Sequence, residues 1–145
     1  MNAVAETEAT LLLVEDNPAD VIFFKEAVEA AGLTLAIHLV EDGEAALRFL
    51  RRQGSFADAP RPDVMVLDLN LPLKTGRELL GEMVRDPALS EVPVTVLTTS
   101  TSETNVVDTY TTGRCLYFVK THQFRKLQDI IRQIVAYAKS MRIRN

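Results

Sequence analysis

The chain is short of the residues that staple or anchor a small protein. It has 145 residues, one cysteine, two histidines and no tryptophan. Cys115 therefore has no internal disulfide partner, which points to a reducing, cytoplasmic setting. It reads as a small buried hydrophobe rather than a reactive thiol. No apolar run approaches the length of a membrane span. Basic residues are in deficit, 16 Lys and Arg against 20 Asp and Glu, giving a net charge of −4. Nucleic-acid binding across a broad basic face is thereby disfavoured. The start of the chain lacks the basic and apolar regions of a secretion signal. Residues 1–9 read as a disordered leader and 10–145 as one domain, with no effector domain after it.

What is present is ordinary globular composition, 47% hydrophobic and 25% charged. Short apolar runs alternate with amphipathic stretches. The runs are Leu11–Val14, Leu35–Val40, Val64–Leu67, Val94–Leu97 and Leu116–Val119. Most are continuous rather than alternating, as expected of strands covered on both faces. A β-α repeat of this kind predicts a doubly wound α/β fold around a parallel sheet.

Asn17, Pro18 and Asp20 mark a helix start, and Gly32 its stop. The inward stripe of this first helix is expected to be Val21, Phe24, Val28 and Ala31, leaving Ile22 exposed and Phe23 on the flank. A second helix is expected over 43–52 and a third over 77–85, ended by Asp86-Pro87. Ser100 and Glu103 could cap a weak, threonine-rich fourth helix. A last helix is expected over 123–141.

The polar residues that punctuate the runs carry the chemistry. Glu15 and Asp16 follow the first strand, Asp68 ends the third, Thr98 the fourth and Lys120 the fifth. In a parallel sheet all of these fall at the carboxyl edge, where open α/β folds place their sites. Taken singly, each has an ordinary structural reason: a helix cap, a strand-end threonine, a surface lysine. Together they would crowd carboxylates, at a cost of about 4 kcal/mol for a like-charge pair at 4 Å. A hard divalent cation such as Mg²⁺ relieves that, since the nearby ligands are all oxygen. A carboxylate there could accept a phosphoryl group. Asp68 would attack, Lys120 would neutralise charge and Thr98 would donate a hydrogen bond.

The stretches "LLLVEDNPAD", "VMVLDLNLPLKTG", "VPVTVLTTS" and "LYFVK" resemble the response-regulator receiver family over about residues 10–140. Thr98 follows Asp68 by 30 residues and Lys120 follows Thr98 by 22, which fits. The resemblance implies a flavodoxin-like five-stranded sheet of order 2-1-3-4-5. It implies Asp16, Asp68 and the Asn70 carbonyl as Mg²⁺ ligands, with Glu15 acting through water. It also implies phosphate transfer from a histidine kinase and a switch aromatic at Tyr117. Family receivers usually carry Lys-Pro with a cis bond where this chain has Lys120-Thr121. "VEDNPADVIFFKEAVEAAG" is similar to the stand-alone regulators paired with phytochrome-type histidine kinases.

Output would then come from a surface, toward a downstream protein that the residues do not name. The last helix carries apolar residues over roughly 160° of its wheel, including Ile130, Tyr137 and Met141. With the fourth helix and fifth strand it is expected to form a homodimer face, unless it simply packs well within one protomer. Ile22 and Phe23 are expected to receive the kinase. Two other classes stay open. A phosphatase of the haloacid-dehalogenase kind would want an Asp where Asn70 stands. A flavodoxin-like cofactor binder would place phosphate against Glu15 and Asp16, which repel it. A phosphorylation-independent scaffold is a further alternative.

Overall fold

The computed structural model describes residues 7–99 and 115–144. Five strands, β1 (Ala9–Val14), β2 (Leu35–Val40), β3 (Val64–Leu67), β4 (Val94–Thr98) and β5 (Cys115–Val119), form one parallel sheet. Their order is β2-β1-β3-β4-β5, as the family resemblance implied. Helices α1 (Pro18–Ala30), α2 (Gly43–Leu50), α3 (Gly76–Arg85) and a C-terminal helix (Phe124–Arg144) cover it. The expected fourth helix lies outside the described residues.

The continuous apolar runs have a direct cause. Along β1 and β3, successive side chains enter opposite cores. Leu12, Val14, Met65 and Leu67 face Leu47, Leu79, Leu80 and Met83 on the side of α2 and α3. Leu11, Leu13, Val64 and Val66 face Val21, Phe24, Leu127, Ile131 and Ile134 on the side of α1 and the C-terminal helix. Both sides are dry, so neither register position can be polar.

Three expectations need correction. The ordered chain begins before residue 10. Ala9 is buried, and the Glu8 backbone N–H and carboxylate bond the carbonyl and N–H of Thr34. In α1 the fourth inward residue is Ala27, not Ala31, because Ala31 is the C-cap and has left the helical stripe. Met141 is 3% exposed and packs within the protomer, so it cannot belong to a dimer face in this conformation. Ile130 and Tyr137 are half-buried against the core between the sheet, α1 and the C-terminal helix.

The helix starts follow their sequence signals. Asn17 accepts from the N–H groups of Ala19 and Asp20, and Pro18 opens α1. Asp42 caps α2 by accepting from Ala45. Thr75 and Glu78 form a reciprocal capping box on α3 that the sequence reading did not anticipate. Gly32, with φ +72, closes α1 in the left-handed region.

Candidate functional site

The sheet's carboxyl edge brings the expected residues together. Asp68 follows β3 directly. Its N–H donates to the Val14 carbonyl, which extends the strand pairing by one residue and fixes the side chain's direction. The carboxylate is nearly enclosed, with Asp68 7% exposed. One oxygen, Oδ1, accepts from the Asn70 N–H at 3.0 Å and from Thr98 Oγ1 at 3.2 Å. The other, Oδ2, accepts from Lys120 Nζ at 2.8 Å.

Lys120 is the hub. Its ammonium has three protons, and three carboxylates surround it: Glu15 at 2.7 Å, Asp20 at 2.7 Å and Asp68 at 2.8 Å. Burial alone would lower the lysine's pKa. The hydrogen bonds it donates to Asp20, Asp68 and Glu15 outweigh it and hold the ammonium above the ordinary lysine value. The backbone places it firmly, since the Lys120 N–H donates to the Thr98 carbonyl at 2.8 Å. The Lys120–Thr121 peptide is trans, so the family's usual cis geometry is not what positions this side chain.

Glu15 is buried beside it. Desolvation raises its pKa, opposed by the bonds from Lys120 and the Asn17 N–H. Asp16, by contrast, is exposed. One oxygen from each of Glu15, Asp16 and Asp68 lies within 4.8 Å of the others. A hard divalent cation fits this all-oxygen set, which offers no His or Cys donor.

Asp20 was missed as a site residue. A carboxylate in the first turn of a helix has a sufficient local reason, the helix dipole, and so draws no attention. Its position at the sheet edge was the available signal. Tyr117 is half-buried against the α2/α3 core rather than part of the carboxylate cluster. Asn70 is exposed, with its N–H on Asp68.

A cleft of about 210 Å³ opens beside Lys120, between α1 and the start of the C-terminal helix. Its polar mouth is Glu15, Asp20, Asp68 and Lys120, and its deeper wall includes Phe23, Phe24 and Leu127. Phe23 stacks at a tilt on Phe124, with ring centroids 5.7 Å apart. Ile22 stands 57% exposed on the neighbouring surface.

The response regulator receiver domain family matches residues 11–132 of the chain. The chain is a response regulator receiver. Response regulator Rcp1 of Synechocystis sp. is 37% identical over 127 residues, covering 88% of this chain and 86% of Rcp1. The phosphorylated cyanobacterial phytochrome response regulator RcpA superposes with a TM-score of 0.79 at 37% identity. That match covers 91% of this chain and 94% of RcpA. The Mn²⁺-bound form of Rcp1 superposes with a TM-score of 0.72 at 35% identity, over 87% of this chain and 91% of that one. Receivers of this family are phosphorylation-activated regulators that signal through protein interactions, and the family generally signals rather than catalyses. No helix among the described residues is long and apolar enough to cross a membrane.

Proposed function

We propose that Asp68 is the phosphoacceptor of this receiver and that a phytochrome-type histidine kinase is its donor. The observation that carries the assignment is the asymmetric environment of the Asp68 carboxylate, with Asn70 and Thr98 on Oδ1 and Lys120 on Oδ2. Likeness to RcpA, a phytochrome response regulator crystallised in phosphorylated form, supports both the reaction and the donor class.

In the reaction one Asp68 oxygen attacks the phosphorus of a phosphohistidine. The phosphorus–nitrogen bond breaks, imidazole leaves, and an acyl phosphate remains on Asp68. Lys120 and the Thr98 hydroxyl neutralise and hydrogen-bond the phosphoryl oxygens. Glu15, Asp16, Asp68 and the Asn70 carbonyl would hold Mg²⁺, which supplies further charge neutralisation when bound. Asn70 carries no acidic proton, so the site lacks the second acid that turnover on outside substrates would use. This supports a switch rather than an enzyme.

The kinase is proposed to dock over Ile22 and Phe23, beside the cleft mouth. If so, Ile22→Ala combined with Phe23→Ala slows kinase-driven transfer while the fold persists. Signal output to a downstream protein is proposed to involve a homodimer face. It would use the fourth-helix region, β5 with its 42% exposed Val119, and the last helix through Ile130 and Tyr137. Light scattering with and without phosphorylation tests it, and a monomer at every concentration would remove it.

Intact mass after incubation with Mg²⁺ and acetyl phosphate tests the central assignment. A single phosphoryl adduct is expected in wild type and none in Asp68→Asn. An adduct of equal yield in Asp68→Asn would refute it.

A further inference from the structure

Leu73 is the outlier of the fold. Its φ is +64, in the left-handed region that costs a branched or long L-residue free energy. Its side chain is 79% exposed, so burial within the protein does not offset that cost. Among the described residues Arg52 is the other non-glycine with positive φ, and it is exposed with its charge in water. Leu73 has no polar end to hydrate. Glycine or asparagine would satisfy the same backbone without strain.

The loop that presents Leu73 is fixed from behind. The next residue, Lys74, is tied through its ammonium to Glu44 of α2 at 3.3 Å and to Glu82 of α3. The Lys74 carbonyl presses against Gly43, where no side chain would fit. At the loop's far end the Gly76 N–H donates to the Leu69 carbonyl at 3.1 Å. A Cβ on Gly76 would lie 2.9 Å from the Asp68 carbonyl oxygen. The loop therefore leaves Asp68 and returns to it, with Leu73 held outward between.

That closure bounds the distance. Three residues span at most about 11 Å, so Leu73 cannot lie far from Gly76 and the Asp68 backbone beside it. A standard interface covers about 800 Å² per partner, a disc of about 16 Å radius. Leu73 therefore falls within the reach of an interface of standard size centred on the Asp68 carboxylate.

We propose that Leu73 is a preorganised apolar anchor for the phosphohistidine protein that phosphorylates Asp68, opposite the Ile22 and Phe23 side of the site. This inference rests on the proposed function. The strain in the free protein is offset when a pocket of the partner takes the side chain, and the rigid loop limits the entropy lost on docking.

The test uses two donors and three variants of the full chain. The protein donor is the autophosphorylated histidine kinase of the source organism that phosphorylates wild type fastest. The small donor is acetyl phosphate with Mg²⁺. Leu73→Gly is expected to raise the melting temperature, leave the acetyl phosphate rate unchanged and slow transfer from the kinase at least tenfold at subsaturating receiver. Leu73→Asn, which also tolerates the backbone, should repeat this result if the glycine variant folds poorly. Leu73→Met should retain the wild-type rate. Unchanged kinase transfer in both Leu73→Gly and Leu73→Asn overturns the anchor and leaves the phosphoacceptor reading standing. Failure of wild type with both donors overturns that reading and the anchor with it.

Discussion

Lys120→Met should convert a self-compensating site into one that depends on a divalent cation for stability. In wild type the ammonium lies 2.7 to 2.8 Å from three carboxylates. At an effective dielectric near 20, one such contact represents about 6 kcal/mol of Coulomb attraction before desolvation is subtracted. The Glu15, Asp68 and Lys120 side chains are only 6%, 8% and 15% exposed, so little of that is screened. The Asp20 side chain is 33% exposed, and its contact contributes no more than about 1 kcal/mol. Removing one partner of a buried ion pair costs about 3–5 kcal/mol, because the charges left behind lose their compensation. That is the expected loss in urea unfolding near neutral pH with chelator present. The Lys120 pKa is raised, so its contribution is complete below the ordinary value of 10.5 and fades only as pH rises through the higher folded value. Saturating Mg²⁺, at a hundredfold excess over its dissociation constant, returns about 2.7 kcal/mol by linkage. The variant should gain more from Mg²⁺ than wild type, whose ammonium competes for the same oxygens. A loss below about 1 kcal/mol in chelator would refute this reasoning. So would an equal Mg²⁺ gain in both proteins.

Other consequences can be measured on the same preparations. Burial raises the Glu15 pKa above the ordinary 4.5, so its contribution to stability is complete below 4.5 and is lost as pH rises through the folded value. Glu15→Gln should therefore flatten the fall in metal-free stability as pH rises above about 4.5, and identical slopes would contradict the assignment. Gly76→Ala would place a methyl 2.7 Å from the Leu69 Cα. It should cost about 1–3 kcal/mol in urea unfolding and slow phosphorylation by acetyl phosphate, because the displaced loop carries the Asn70 N–H. Burial pushes the Cys115 thiol up to about 12 from an ordinary 9.0. Alkylation near pH 8 should accordingly be about a thousandfold slower in the folded protein than in urea, and comparable rates would show the thiol to be open.

The central strands could be read from sequence because both faces of β1 and β3 are dry. Leu11 and Leu13 supply one core while Leu12 and Val14 supply the other, so the run has no polar gap. The edge strands are less complete: β2 and β5 are mostly half-buried, although their runs look as apolar as those of the centre. Strand order is a long-range property, and here the family resemblance carried it rather than any local pattern. Asp68, Thr98 and Lys120 stood out because strand ends define one edge, and the structure gathers them within hydrogen-bond reach. Asp20 did not stand out, because its charge has a local explanation at the helix start. Leu73 gave no signal at all, since a positive φ at leucine runs against propensity and follows from how Lys74 and Gly76 are held. Met141 was misplaced for a different reason. A wide apolar arc on a helix does not say how much of it the rest of the protomer covers, and here Met141 is covered.

The measurement closest to the central claim is chemical trapping of the phosphorylated residue. Wild type is treated with acetyl phosphate and Mg²⁺, reduced with borohydride and mapped by peptide mass. An acyl phosphate at this site is reduced to a side-chain alcohol, so homoserine should appear in place of Asp68, in amounts that depend on prior phosphorylation. Homoserine at Asp16 or Asp20 with Asp68 intact, or none anywhere despite a phosphoryl adduct, would contradict the account.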